Sequence, residues 1–193
     1  MTSFGLDISI AKSLNHWASI HVGLTDFFSK HLVYVVIIIG SLWSLSYTYR
    51  VIHQFTALGF IKRGIHDGLF LLTIPVGVAT LISELVSQLY PRPRPFVAIP
   101  GIHLLTPHSA DGGMPSHHAV FMVAIATCTF FYNRSLGLIL GMLTLISGIA
   151  RVSAGVHYPT DIIAGFGVGI GCVLATRYLL GLLREKVRSK REK

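Results

Sequence analysis

The sequence predicts an all-α integral membrane protein, a helical bundle of about five transmembrane helices with an N-terminal interfacial, or sixth, helix. Three observations carry this. Of the 193 residues, 52% are apolar and only 12% are charged, about half the ~25% charge of a soluble domain. The mean hydropathy is +0.64. The apolar residues gather in runs close to the ~20 residues needed to cross roughly 30 Å of hydrocarbon. Residues 1–193 read as one membrane-embedded domain.

Residues 3–28 come first. Asp7, Lys12, Asn15, His16 and Asp26 are spread among apolar positions, as in an amphipathic helix lying at the membrane surface; a poor sixth span is the alternative. Five spans follow, at about Leu32–Tyr49, Gly68–Leu89, His118–Tyr132, Leu136–Ser153 and Ile162–Leu183. The third is short and opens on polar residues, which places its start in a protein-lined pocket. In the last, Gly165, Gly167, Gly169 and Gly171 make two small-xxx-small pairs suited to close helix packing. Glu84, the one acid well inside a span, needs a polar partner, for which Arg92, Arg94 or Arg151 would serve. Cys128 and Cys172 both lie in apolar runs, which argues against a disulfide framework or a thiolate metal site.

Charge orients the bundle. With five spans, the connection 50–67, the turn 133–135 and the basic tail 184–193 share one side, which carries eleven of the 16 basic residues. By the positive-inside rule that side is cytoplasmic, so 90–117 and 151–161 face outward. The formal net charge of +8, in so apolar a chain, points to anionic lipid rather than nucleic acid.

The outward side holds three polar clusters: Tyr90-Pro-Arg-Pro-Arg-Pro-Phe96, Pro115-Ser-His-His118 and Ala150-Arg-Val-Ser-Ala-Gly-Val-His-Tyr-Pro-Thr-Asp161. Arg94 and Arg151 offer planar forks suited to phosphate oxygens. Ser116 suits an N-cap, leaving the backbone N–H groups of His117 and His118 at a helix start, where anions bind. Pro159 suits the first turn of the last helix. Asp161 then falls in that turn, placed to accept from one ring nitrogen of His157 and leave the other nucleophilic. His118 remains as a general acid. Taken singly, each has a plainer reading as a wet histidine, a snorkelling arginine or a helix cap. Together they converge on one membrane face.

Arg151, five residues, His157, three residues, Asp161 resembles the third motif of the type 2 phosphatidic acid phosphatase family. Pro115-Ser116-His117-His118 is similar to its second motif, Pro-Ser-Gly-His, and Arg94-Pro95 to the end of its first, Lys-x6-Arg-Pro. The resemblance implies that His157 is a nucleophile forming a phosphohistidine, that Asp161 orients it, and that His118 protonates the leaving group and then activates water. It implies that Arg94, Ser116 and Arg151, with the backbone of His117, hold the phosphate, with no metal or other cofactor. Ser87 stands at the family's lysine position, and Arg92 is the candidate substitute. A serine there, with Leu105-Thr-Pro-His-Ser-Ala-Asp111, resembles the branch acting on undecaprenyl diphosphate, which implies a bacterial cytoplasmic membrane and a polyprenyl lipid substrate. His108 and Asp111 then either contact the second phosphate or belong to a plain polar loop.

Three other readings stay open. One is the same chemistry on phosphatidylglycerophosphate, phosphatidate or lipid A. Another is a metallohydrolase built from His103, His108, His118, His157 and Asp111, which no His-Glu-x-x-His helix supports. The last is a non-enzymatic membrane protein that clamps a lipid headgroup.

Overall fold

The computed structural model describes residues 3–53, 65–110 and 112–189, and all regular structure among them is helical. The helices are α1 (Ser3–Ala18), α2 (Val22–Lys30), α3 (Leu32–His53), α4 (Ile65–Leu89), the short α5 (Pro95–Ala98), α6 (His117–Phe130), α7 (Arg134–Ser153) and α8 (Pro159–Ser189). Four stretches are long and apolar enough to cross a membrane: Val22–Arg50, Leu72–Leu89, Arg134–Ser153 and Pro159–Leu183. The shorter apolar helix is His117–Phe130. These are the five spans expected, the first lengthened because α2 runs into α3.

The short α6 is the centre. Ala119, Val120, Met122, Ala124, Ile125, Ala126 and Cys128 are buried, and α3, α4, α7 and α8 pack around them. Its neighbours turn large apolar side chains outward: Ile38, Leu42 and Leu45 on α3, Leu138, Met142 and Leu145 on α7, Ile163, Leu174 and Leu179 on α8. A soluble bundle would not expose such faces; lipid is the solvent that suits them.

The two glycine pairs of α8 differ. A Cβ on Gly165 would stand 2.9 Å from the Ala119 Cβ, and one on Gly169 would stand 2.7 Å from the Val120 carbonyl oxygen. Gly167 and Gly171 meet nothing within 4 Å. The pair 165/169 therefore seats α8 on α6, as the small-residue pattern suggests, and the pair 167/171 does not.

Residues 3–28, expected as one helix, are split into α1 and α2. Asp7 and Asn15 also point the other way from the polar face of a surface helix, while Lys12 and His16 stay exposed. Asp7, Ala11, Asn15 and Ala18 lie on one helical face and are at most 3% exposed, whereas Leu6, Ile10 and Trp17 are exposed. The Asn15 carboxamide is fully used: Nδ2 donates to the carbonyls of His103 and Ser153, both at 2.8 Å, and Oδ1 accepts from the His103 N–H at 2.8 Å. A second apolar cluster, of Ala11, Ile99, Ile102, Ala119, Val152, Tyr158 and Ile162, lies where α1 meets the ends of α6, α7 and α8. It is the floor under the three polar clusters.

Candidate active site

His157 sits between the end of one helix and the start of the next, and both ends are fixed. At the end of α7 the Val156 N–H donates to the Arg151 carbonyl and the Gly155 N–H to that of Val152, the Schellman pattern. Gly155 has φ +78, and a Cβ there would stand 2.6 Å from the His103 carbonyl oxygen, so only glycine fits. At the start of α8, Pro159 takes the first helical position and Asp161 Oδ2 accepts from the Tyr158 N–H at 2.8 Å, as the third residue of a capping box does. One residue of free choice is left between these stops, and it is the histidine.

Its ring is specified atom by atom. His157 Nδ1 lies 2.8 Å from the Gly113 carbonyl, which only accepts, so Nδ1 carries the proton. Arg94 Nη1 and Arg151 Nη2 approach Nε2 at 3.3 and 3.4 Å. Guanidinium groups only donate, so Nε2 carries a lone pair. Burial, and then the positive charges of Arg151 and Arg94, hold the imidazole well below the usual histidine range, which leaves it neutral at pH 7. A buried neutral imidazole with an aimed lone pair is a nucleophile in waiting.

Arg94 precedes α5, where Pro95 opens the helix. Its Nη1 donates to the Val156 carbonyl at 2.9 Å and Nη2 to that of Gly112 at 3.2 Å. Arg151, in the last turn of α7, donates to the Ser29 carbonyl at 3.4 Å and to His108 Nε2 at 3.0 Å. None of its partners is anionic, and its buried Nε has no hydrogen-bond partner among the described residues. Ser116 is fully buried at the start of α6; its N–H donates to the Asp161 carbonyl at 3.1 Å. Its side chain, expected to cap the helix, makes no cap hydrogen bond, and its Oγ has no partner among the described residues. A buried cation without an anion and a buried hydroxyl without a partner are each costly. Phosphate oxygens would satisfy both. His118, in the first turn of α6, lines a cavity of about 300 Å³ together with His108 and Arg151.

Residues 67–184 match the PAP2 superfamily, the family of membrane phosphatases that the three motifs resemble. The chain belongs to the PAP2 superfamily. It is 40% identical over 95 residues to the undecaprenyl-diphosphatase BcrC of Bacillus subtilis (strain 168), covering 49% of each chain. It is 28% identical over 145 residues to phosphatidylglycerophosphatase B of the same organism, covering 69% of this chain and 66% of the relative. The crystal structure of Aquifex aeolicus LpxE has the same fold, with a TM-score of 0.66 at 22% identity over 92% of this chain and 98% of that one. The chain spans about half the length of BcrC and of the other curated relatives it matches most significantly.

Within this PAP2 site several residues stand elsewhere than the sequence suggests. Asp161 Oδ2 is 3.6 Å from His157 Nδ1, beyond a hydrogen bond, and the Gly113 carbonyl takes the expected place. Asp161 instead holds the Tyr158 N–H and accepts from Arg92 Nη1 at 2.8 Å. Arg92, the candidate substitute for the missing lysine, is turned to carboxylates. It reaches Thr160 Oγ1 and Asp7 Oδ2, both at 2.7 Å, and lies 3.8 Å over the Tyr158 ring. Burial opposes its charge, and the hydrogen bond to Asp7 and the nearby Asp161 carboxylate more than offset that. Glu84 pairs with none of the expected arginines. It accepts from Gln88 at 2.9 Å and lies 3.5 Å from His117 Nε2, which turns the His117 side chain toward α4. Ser87 lies near Gly112, whose added Cβ would be 3.4 Å from the serine Oγ. His108 joins the site through Arg151, its Nδ1 lying 3.2 Å from the Ser109 carbonyl. Asp111 lies outside the described residues.

Asp7 is the residue that sequence reasoning missed. It accepts from the Thr160 N–H at 3.0 Å, from the Thr160 hydroxyl and from Arg92, and so caps α8 from a helix at the other end of the chain. A usable signal was present: Asp7, Ala11, Asn15 and Ala18 fall on one helical face, and that face holds the small and hydrogen-bonding residues rather than the large apolar ones.

Proposed function

We propose that this chain is a lipid phosphatase that removes the terminal phosphate of undecaprenyl diphosphate, giving undecaprenyl phosphate and inorganic phosphate. The observation that carries this reading is the convergence of Arg94 and Arg151 on His157 Nε2, donors gathered where a phosphoryl group would meet the nucleophile. The similarity to BcrC over half of each chain supports the choice of lipid.

The proposed steps use these residues in turn. The His157 Nε2 lone pair attacks the terminal phosphorus, and the bond from phosphorus to the bridging oxygen breaks. His118 gives its proton to that oxygen as undecaprenyl phosphate leaves. The Arg94 and Arg151 guanidiniums, the Ser116 hydroxyl and the backbone N–H groups opening α6 hold the phosphoryl oxygens. His118 then takes a proton from water, the hydroxide attacks phosphorus, and the phosphorus–nitrogen bond breaks to return neutral His157. Gly113 fixes the tautomer throughout, and Asp161 acts one step removed by holding Tyr158 and Arg92. No metal takes part in these steps. The site faces the periplasmic or outer side of a bacterial cytoplasmic membrane, and the basic tail lies in the cytoplasm.

The test is phosphate release from undecaprenyl diphosphate by purified protein in detergent micelles with EDTA present. Metal-independent release that His157→Ala abolishes is expected. Release from phosphatidylglycerophosphate, phosphatidate or lipid A alone would replace the substrate and keep the chemistry. Lipid binding that survives His157→Ala, with no release from any of them, would leave a headgroup clamp. Labelling of a cysteine placed near Ser189 by an impermeant reagent in intact cells would overturn the orientation.

A further inference from the structure

We infer that the cavity beside His157 is a separate subsite for the phosphate that stays on the lipid, with Lys30 of α2 as its cation. The inference rests on the lipid diphosphatase reading above and adds what distinguishes a diphosphate from a monoester.

The cavity, about 300 Å³ in volume, is lined by Lys30, His31, Tyr34, His108, His118 and Arg151 among others, the lower end of the size range of small-molecule sites. It adjoins the attacked phosphate, because Arg151 belongs to both. That guanidinium touches His157 Nε2 on one side and the Ser29 carbonyl, the residue before Lys30, on the other. A group bonded through one oxygen to a phosphoryl held at His157 therefore enters the cavity past Arg151. His118 lines the same space, so the bridging oxygen and its proton donor meet at the boundary between the two phosphates.

The lining selects an anion. Lys30 and Arg151 are cations and three imidazoles accompany them; the Asp26 carboxylate, outside the lining, lies 2.6 Å from Lys30 Nζ. An ammonium has three donors, and Asp26 engages one of them. Both partners of that pair are about a third exposed, where such a pair contributes little, so it holds Lys30 in place without sequestering it. His108 is committed to Arg151 and the Ser109 carbonyl and acts as the wall between the subsites. Tyr34 is 59% exposed on the outward face of α3, where an isoprenoid chain would leave for the bilayer.

Inhibition of the wild-type enzyme by inorganic pyrophosphate and by orthophosphate gives the first test. Two occupied subsites predict pyrophosphate to be the tighter inhibitor by about tenfold or more, one further charge-assisted hydrogen bond. Lys30→Gln should narrow that gap, lower kcat/KM for undecaprenyl diphosphate about tenfold more than for a phosphomonoester lipid, and be rescued by Lys30→Arg. Equal inhibition by the two anions overturns the inference without requiring any variant to fold. So does a Lys30→Gln enzyme with unchanged discrimination. A wild-type protein that hydrolyses neither class of lipid would sink the phosphatase reading itself, a different outcome from either.

Discussion

Asp7 on α1 accepts the backbone N–H of Thr160, 153 positions further along the chain, at 3.0 Å, and the same carboxylate holds Arg92 at 2.7 Å. Through Arg92 the bond continues to Asp161 and from there to Tyr158, beside His157. The first helix thus braces the turn that carries His157.

Asp7→Ala should cost roughly 3 kcal/mol of stability, because the half-buried Arg92 loses one of its two carboxylates and the Thr160 N–H loses its cap. Where the variant folds, kcat should fall at least about tenfold with KM little changed. Arg92→Ala should behave in the same way, and the double variant should be little worse than either single one, since both cut one network. A large rise in KM for Arg92→Ala alone would show that Arg92 binds phosphate after all. Thermal unfolding in detergent and steady-state kinetics give both readouts.

Protonation of His157 is the second test. Its folded pKa lies well below the ordinary 6.5, so the unfolded chain takes up a proton on acidification before the folded one does. Stability from this group is present above about pH 6.5 and declines below it. Nitrogen NMR of labelled histidine should show His157 protonated at Nδ1 alone through pH 6.5. Arg151→Gln removes a positive neighbour and should raise the value. An Nε2-protonated ring in the native protein would remove the nucleophile assignment.

For Ser116, stability and turnover should separate. Its buried Oγ has no partner, so Ser116→Ala loses no hydrogen bond and should leave the melting temperature unchanged or higher. Phosphate release should drop about a hundredfold, the size of one transition-state hydrogen bond. A variant that melts earlier, or that turns over normally, contradicts this role.

The glycines of α8 supply a matched pair. Gly169→Ala drives a methyl group into the Val120 carbonyl of α6, which should cost about 1–3 kcal/mol. Gly171→Ala meets open space and should be neutral or gain up to about 1 kcal/mol from helix propensity. Equal effects in thermal unfolding would mean that α8 does not seat on α6 through the 165/169 pair.

What the sequence discloses here and what it hides have physical causes. Spans are legible because hydrocarbon thickness sets their length, and all five fall where the apolar runs place them. His157, Arg94, Arg151, Ser116 and His118 stand out in the sequence as particular residue types at set spacings, and the structure gathers Arg94, Arg151 and His157 together with His118 beside the same cavity as Arg151. The partners of those residues do not stand out. Gly113 supports His157 with a backbone carbonyl, which every residue has, so nothing in its side chain marks it. Spacing alone points Arg92 to phosphate and Asp161 to the imidazole, because Asp7, the carboxylate that draws Arg92 away, lies in a helix that composition assigns to the membrane surface. Glu84 went to an arginine for the same reason: charge suggests a partner, and only three-dimensional proximity picks His117.

The inward polar face of α1 also bears on how the molecule is made. Asp7 and Asn15 are synthesised 153 and 138 residues ahead of their partners Thr160 and Ser153. At about 5–20 residues per second, Asp7 waits roughly 8–30 s for the backbone it will cap. Until then its carboxylate is best kept in water at the membrane surface, and α1 docks only once α7 and α8 have arrived. Assembly of this corner therefore waits for the start of α8, and a chain stalled just before Thr160 carries Arg94, Ser116, His118, Arg151 and His157 without the Asp7 brace.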